Sequence, residues 1–236
     1  AGKQLIYLRN ICADPMGFKL KAKELEQYTE EPPDVTSNMN PKTVAILRLV
    51  RDIMDRNEQV VILCSRIGQT NTIEKLCVEA GLRVSRIDST VPARLHAQQA
   101  SWFKKKQSDV QLMGIKCAMG YSFPQCPNEI IGSLEYSFGP FHQGKGRVDR
   151  VNSFLPAKIY CVLTEGTIEE SMFDVVATKR DAATICLHGH RVPVDFKPMD
   201  ISEILADSVQ KTLITGTDEH DCEEQWQEMR REWMTA

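Results

Sequence analysis

The sequence predicts an α/β domain with a mostly parallel sheet, followed by a C-terminal helical extension. Residues 60–64 (VVILC) form a continuous apolar run of strand length, which is typical of a parallel strand buried on both faces. Further strand-length runs alternate with helical patterns between residues 41 and 190, and this alternation favours a parallel sheet. The pattern fades beyond residue 190. We therefore divide the chain into a connector (1–40), an α/β domain (41–190) and an extension (191–236).

The first helix of the domain is predicted to begin at Pro41. Asn40 is a favourable N-cap, and proline suits the first helical position. The apolar stripe of this helix comprises Val44, Leu47, Val50 or Arg51, and Met54.

The remaining elements follow from the same periodicities. Strands are predicted over 82–88, 110–115, 129–136 and 158–163. A helix follows the first strand and is ended by Gly81; its apolar positions are Ile73, Leu76, Cys77 and Ala80. A helix over 93–106 buries Leu95, Trp102 and Phe103. The lysines that close the latter helix, 104–106, suit its C-terminus and a solvated face. A short helix is predicted near 141–150, and Thr167-Ile-Glu-Glu170 reads as a capping box that starts another, with Ile168, Met172, Val175 and Val176 on one side.

Composition limits the possible partners and compartments. The net charge is −3 and the pI about 6.0, so any contact with nucleic acid needs a local basic patch. The 8 cysteines include no Cys-x-x-Cys pair, which indicates reduced, buried thiols in an intracellular protein and no metal site. No apolar stretch reaches the roughly 20 residues of a membrane span, and no signal peptide opens the chain. A start without methionine suggests an excised fragment.

The segment richest in chemistry is Gln143-Gly-Lys-Gly-Arg147-Val-Asp-Arg150. On a helix, Gln143, Arg147 and Arg150 would project from one face. Two guanidiniums on one stripe suit a multiply charged phosphate between them, although a solvated face with a salt bridge to Asp149 or Glu135 also fits. The glycines at 144 and 146 are poor helix formers and favour close approach of a ligand or another domain.

This segment, Q-x-x-G-R-x-x-R, resembles motif VI of superfamily 2 helicases. Other blocks resemble the second RecA-like lobe of Swi/Snf-type helicase-like ATPases in the correct order, so that the resemblance covers roughly residues 5–180. These blocks are 8–15 (LRNICADP), 61–66 (VILCSR, motif IV), 86–90 (RIDST, with Arg94 and 102–103 downstream), 116–123 (KCAMGYSF, motif V) and 164–170 (TEGTIEE).

The resemblance implies a RecA-like three-layer domain with a nucleotide at a cleft. Arg147 and Arg150 would contact the phosphates of ATP as arginine fingers, with Gln143 orienting nearby, and Gly120 and Gly146 would lie against the nucleotide. ATP and Mg²⁺ would be held mainly by the N-terminal RecA-like lobe of the same protein. The fragment alone would then be inactive.

The resemblance also implies contact with double-stranded DNA. The candidates for contact with its backbone are Arg66, Ser89, Thr90 and Lys116, each of which could also be a plain surface residue. The chain departs from the family pattern at Asp88, Ile115, Ala118, Asp149 and 152–153, where the family has glycine, threonine, glycine, histidine and Gly-Gln. These departures indicate a divergent branch and put a DNA contact at Ile115 in doubt.

Two other functions fit parts of the sequence. Residues 139–146 nearly spell a Walker A loop after a strand, which would make the chain a self-sufficient nucleotide-binding domain. Gly146 replaces the magnesium-binding hydroxyl and Pro140 removes an amide, and both changes weaken this alternative. The chain could instead be a non-catalytic interaction module that docks partners through its acidic tail, in which Trp226 and Trp233 lie. Packing of that tail against its own domain is the favoured prediction.

Overall fold

The computed structural model describes residues 2–15, 39–135, 147–148, 153, 155–188 and 219–235. The α-helices of this part, α1 to α6, span Gly2–Ala13, Pro41–Met54, Ile67–Glu79, Ala93–Lys104, Ile168–His188 and Glu219–Thr235. Its strands, β1 to β5, span Val60–Cys64, Val84–Ile87, Val110–Gly114, Asn128–Ile131 and Lys158–Cys161.

The strands form one five-stranded sheet in the order β2-β3-β1-β4-β5, and every neighbouring pair is parallel. The central strand β1 pairs with β3 and β4, so that Val60 lies opposite both Val110 and Asn128. All five residues of β1 are buried, which explains its uninterrupted apolar sequence. The predicted parallel sheet is therefore confirmed.

Helices cover both faces of the sheet and give the predicted three-layer architecture. On one face, Val60, Ile62 and Cys64 pack with residues of α2, α3 and α6. On the other face, Val61 and Leu63 pack with α4, with the start of α5 and with the segment that follows β3. The alternation along β1 thus divides the apolar core between two layers.

The start of α2 has the capping geometry that the sequence predicts. The Asn40 side-chain oxygen accepts a hydrogen bond from the Thr43 N–H at 2.9 Å, and Pro41 occupies the first turn. The helix α3 ends just before Gly81, whose φ of +81° favours glycine, so that the predicted helix stop is also confirmed. Ile53 is buried at the end of the α2 stripe, where the sequence indicated Met54.

The strands are shorter than the sequence predicted, and β4 differs most. It ends at Ile131, whereas the prediction ran to residue 136. After Ile131 the chain turns into close contacts: a Cβ on Gly132 would lie 3.1 Å from Ile46, and the Ser133 hydroxyl accepts a hydrogen bond from the Ser65 N–H at 2.6 Å. These contacts replace the continuing strand pairing. The predicted strands 82–88, 110–115 and 158–163 are each one to three residues longer than the strands in the structure.

The helix α4 corrects one prediction about the core. Trp102 is 39% exposed, although the sequence predicted its burial, and Leu95 is only partly buried. Ala100 and Phe103, three residues apart, face the sheet, so the intervening Trp102 points away from it. Phe103 is fully buried and meets Phe123 edge to face at 5.1 Å. The helix ends at Lys104, two residues before the predicted end, and the following lysines are exposed as expected.

The two terminal helices pack against this domain. Trp226 of α6 is 1% exposed in the core beside α2, and it contacts Trp233 edge to face at 5.9 Å. The tail thus packs against its own domain. The helix α1 lies against α5, and its Arg9 pairs with Glu135 at 2.7 Å. Among the described helices, none is both long and apolar enough to cross a bilayer.

Candidate nucleic-acid and nucleotide site

The candidate site lies where the strands end. Because all strands are parallel, their carboxyl ends share one edge of the sheet, which is the usual position of ligand sites in such folds. The segments after the three neighbouring strands β2, β3 and β1 carry Ser89 with Thr90, Lys116 and Arg66 respectively. The four candidates for DNA contact thus share one edge. Ser89, Thr90 and Lys116 are exposed, and Arg66 is partly buried.

Asp88 holds the turn that contains Ser89 and Thr90. Its carboxylate, 1% exposed, accepts hydrogen bonds from the Thr90 N–H at 2.8 Å and from the Thr90 hydroxyl at 2.6 Å. His96 lies under the same turn, with Nε2 at 3.1 Å from the Asp88 carbonyl oxygen. Since the Thr90 hydroxyl donates its single proton to Asp88, it has none to offer a phosphate. Ser89 is the exposed hydroxyl of the turn.

Arg86 balances the buried charge of Asp88. Its Nε donates to the second Asp88 oxygen at 2.6 Å, and its terminal nitrogen donates to Glu74 at 2.6 Å. Burial acts to raise the pKa of Asp88, but the hydrogen bonds from Thr90 and Arg86 outweigh it and hold the pKa below the usual 3.8. The sequence assigned no role to Asp88, Arg86 or Glu74. Its one signal was an aspartate where the family has a glycine.

Lys116 and Gly120 lie in the segment that follows β3. Lys116 occupies a short 3₁₀ turn, Ile115–Cys117, and its side chain is exposed. Ile115, where the sequence put a DNA contact in doubt, is 4% exposed and packs in the core. Gly120 is exposed in a turn with φ of +88°, a backbone conformation that residues other than glycine rarely adopt.

Arg66 lies near three charged side chains at the end of β1, namely Arg9, Glu135 and Asp14. Burial lowers the pKa of its guanidinium and the nearby Arg9 lowers it further, while Glu135 and Asp14 oppose the change. Arginine nevertheless stays ionised in proteins. Its Nε is buried and has no hydrogen-bond partner among the described residues. Arg66 therefore brings positive charge to the edge, while its Nε lies inside the lobe.

Arg147 lies directly against the segment after Gly120. One terminal nitrogen donates to the Tyr121 carbonyl at 2.8 Å, and the Arg147 carbonyl accepts from the Phe123 N–H at 2.8 Å. The residue is 5% exposed, and its neighbour Val148 is part of the core. Arg147 thus lies inside the lobe, next to the motif V segment, whereas the sequence analysis placed it on a projecting helical face.

Several predicted positions lie outside the described residues. These are Gln143, Gly146 and Arg150, together with the Walker-like segment 139–146. The helix predicted near 141–150 lies largely outside as well, and the two residues of it that are described, 147–148, form a turn.

An ion pair that the sequence did not predict lies beneath the start of α5. Lys42 and Glu169 contact each other with side chains that are 1% and 0% exposed, and the second Glu169 oxygen accepts from the Thr164 N–H at 2.9 Å. The Thr167 hydroxyl accepts from the Glu169 N–H at 3.3 Å and donates to the Thr164 carbonyl at 2.7 Å. Thr167 therefore caps α5 as predicted. The buried carboxylate is Glu169 rather than Glu170, which the capping-box pattern emphasised.

The described cysteines are free thiols, each buried or partly buried. Burial raises the pKa of Cys64 and of Cys77 to about 12, so both thiols stay protonated. Within the residues that the structure covers, no three His, Cys, Asp or Glu side chains come together in a way that could hold an ion.

The chain is similar to known proteins in sequence and in fold. The chain is 26% identical over 176 residues to the mouse (Mus musculus) DNA repair and recombination protein RAD54B, an alignment that covers 73% of this chain and 19% of that relative. The chain therefore spans about a fifth of that protein's length. No protein-family model matches the sequence.

One solved structure with a similar fold belongs to a known ATPase. The C-terminal part of the Fun30 ATPase domain superposes with a TM-score of 0.57 at 15% identity, covering 82% of this chain and 60% of that one. The Pyrococcus furiosus Hef helicase domain gives a TM-score of 0.47 at 16% identity, covering 70% of this chain and 32% of that one. The chain is thus similar in sequence to part of RAD54B and shares its fold with the C-terminal part of the Fun30 ATPase domain.

Proposed function

We propose that this lobe is the second half of an ATP-driven translocase on double-stranded DNA, and that it contacts the DNA backbone at the carboxyl edge of β2, β3 and β1. The observation that carries the proposal is the gathering of Ser89, Lys116 and Arg66 on three neighbouring strand ends. Hydroxyl groups, ammonium and guanidinium are the usual partners of phosphate oxygens. RAD54B, which is described as a DNA repair and recombination protein, supports DNA as the substrate.

The nucleotide would lie on the Arg147 side of the same lobe. There Arg147 and Arg150, with Gln143, would face ATP and Mg²⁺ bound by an N-terminal RecA-like lobe, and Gly120 and the more distant Gly146 would lie close to the phosphates. Arg147 donates one of its N–H groups to the neutral carbonyl of Tyr121. A charged phosphate oxygen is a stronger acceptor, so a nucleotide arriving from the other lobe could take over this donor.

The proposal predicts that the chain alone does not hydrolyse ATP. In the full-length protein, Arg147→Ala or Arg150→Ala should lower kcat by roughly 10³-fold or more, because a trans-acting arginine stabilises charge that develops on the transferred phosphoryl group. Affinity for DNA should change little. Steady-state turnover and binding to a labelled duplex measure the two effects separately. Arg83→Ala is the matched control, since Arg83 lies at the opposite edge, where it pairs with Asp109.

Normal turnover in both finger variants would contradict the nucleotide assignment. Magnesium-dependent ATP turnover by the purified chain that is lost on Lys145→Ala would instead favour a Walker-type loop over 139–146. Capture of partners that depends on residues 218–236 would favour an interaction module. Burial of Trp226 against α2 leaves the apolar face of that tail already occupied.

A further inference from the structure

Asp88 lies where the two proposed DNA-contacting loops come closest. In the β2–β3 pairing, Ile87 lies opposite Met113, so Asp88 and Gly114 are the next residues at the edge. A Cβ placed on Gly114 would be 3.2 Å from the Asp88 Cβ and 3.6 Å from its Cα. Glycine at 114 thus allows Asp88 to pack against the backbone from which the Lys116 turn begins.

The carboxylate of Asp88 is fully used within the lobe. One oxygen accepts the N–H and hydroxyl of Thr90, and the other accepts the Arg86 Nε. The bonds to Thr90 fix the backbone of the turn, and the bond to Arg86 fixes the carboxylate against β2. The turn therefore cannot shift relative to β2, which itself pairs with β3, without breaking bonds to a buried charge, and such a loss is costly.

The charges decide which atoms of this region can receive a phosphate. Glu74, Arg86 and Asp88 together carry a net charge of −1, so the inner part of the turn repels an anion. Lys116 on the neighbouring turn is exposed and supplies the positive charge, and Ser89 supplies the outward hydroxyl. Contact with one phosphate then depends on the distance between these two turns.

We infer that Asp88 is a positioning residue, which sets the Ser89 turn against the Lys116 turn so that both contact the same stretch of DNA backbone while the Thr90 hydroxyl stays bonded to Asp88. The inference rests on the proposed function, because it assumes that these turns contact DNA. It assigns to Asp88 and Gly114 a part in DNA binding that requires no contact with the DNA.

Binding of a fluorescent duplex by the full-length protein, titrated at several salt concentrations, tests the inference. Gly114→Ala, which changes no charge, should weaken binding about tenfold, the scale of one displaced phosphate contact. Asp88→Ala should weaken binding too, although it also removes a negative charge that repels the DNA. Lys116→Ala should reduce the slope of log K against log salt by about 1, and by less when Asp88 is already alanine. This non-additivity separates positioning from a general loss of stability, which would give additive effects.

Asp109→Ala is the matched control. At the opposite edge, Asp109 accepts the backbone N–H and the guanidinium of Arg83, a pattern like that of Asp88. Equal DNA affinities for the two aspartate variants, or an identical Lys116 effect in both backgrounds, would overturn the inference. Should Asp88→Ala not fold, Thr90→Val removes one bond to the same carboxylate and should weaken binding, whereas Thr90→Ser should preserve it; equal binding by these two overturns the inference.

The proposed function fails by a different result. If Ser89→Ala and Lys116→Ala leave both affinity and salt slope unchanged, the edge does not contact DNA at all. In that case Asp88 has no DNA contact to position. The Ser89 and Lys116 single variants therefore distinguish failure of the proposed function from failure of the Asp88 inference.

Discussion

Lys42 and Glu169 place opposite charges in the interior of the lobe and join the first turns of α2 and α5. Removing two charges from water costs several kcal/mol each, which only close pairing and further hydrogen bonds offset. Glu169 has such a bond from the Thr164 N–H. The Cys12 thiol of α1 lies beside the pair, and its pKa is raised to about 11, first by burial and then by the charge of Glu169.

Glu169→Gln should destabilise the chain by about 3–5 kcal/mol, because the Lys42 ammonium would remain buried without its counter-charge. Urea unfolding followed by circular dichroism measures the change. Glu79→Gln serves as control, since its partner Lys75 is 73% exposed and such surface pairs contribute little. Replacement of both Lys42 and Glu169 by apolar residues should recover much of the loss, and an equal loss in the double variant would contradict the explanation.

The sequence predicts which residues of the proposed contact edge are exposed better than it predicts which residues hold them in place. Ser89 and Lys116 were placed by motif, and both are exposed at the predicted strand ends. The turn that carries Ser89 is held by Asp88, which bonds to Arg86 of β2. Arg86 in turn pairs with Glu74 of α3. A contact between α3 and β2 depends on packing, so no local pattern could indicate it. Arg147 shows the same limit, because its burial depends on Tyr121 and Phe123.

Helix α6 illustrates how an element far along the chain completes the core. It packs on α2, where Trp226 and Met229 fill the apolar layer and Gln225 accepts a hydrogen bond from Arg48 at 3.0 Å. The helix is strongly polar on average, yet one of its faces is buried. The amphipathic pattern of an acidic segment with two tryptophans was sufficient to favour this packing.

Trp226→Ala should destabilise the chain by about 3–5 kcal/mol, the usual cost of removing a buried aromatic side chain. Trp102→Ala provides the matched comparison, because Trp102 is 39% exposed and should lose far less. Thermal melting of both variants measures the difference. Equal shifts in Tm would show that α6 does not contribute to the core as the structure indicates.

The type of each element was predictable, as were the ends that a local capping residue marks. Strand ends that depend on distant contacts were not. The run of five apolar residues in β1 and the N-cap Asn40 are local signals, and both predictions are confirmed. The end of β4 at Ile131 follows from contacts of Gly132 with Ile46 and of Ser133 with Ser65. These partners lie more than 60 residues away in the chain, so the sequence around residue 132 could not predict the contacts.

The whole lobe carries a net charge of −3, so its overall electrostatic field does not attract DNA. Positive charge near the proposed contact edge comes from Lys116 and Arg66, whereas Glu135 and Asp14 lie next to Arg66. A lobe with so few cations at the edge should bind duplex DNA weakly by itself. Under the proposed function, tight binding would require the N-terminal lobe as well.

For the isolated chain we expect log K to fall with log salt with a slope of about −2, since each phosphate contact contributes about −0.9. The full-length protein should show a steeper slope and a higher affinity. Fluorescence anisotropy with one duplex at several NaCl concentrations compares them. Equal slopes for the two proteins would show that this lobe already carries the whole electrostatic contact.

The order of the strands has a consequence for biosynthesis. Val60 pairs with Val110 and Asn128, which are 50 and 68 residues further along the chain. At ribosomal rates of about 5–20 residues per second, the apolar segment 60–64 waits on the order of 3–10 s for its first partner. A short, uncharged run of this kind can meanwhile pair with another nascent chain. Charged residues at 56, 58 and 66 bracket the run, and we expect their replacement by apolar residues to increase aggregation during expression.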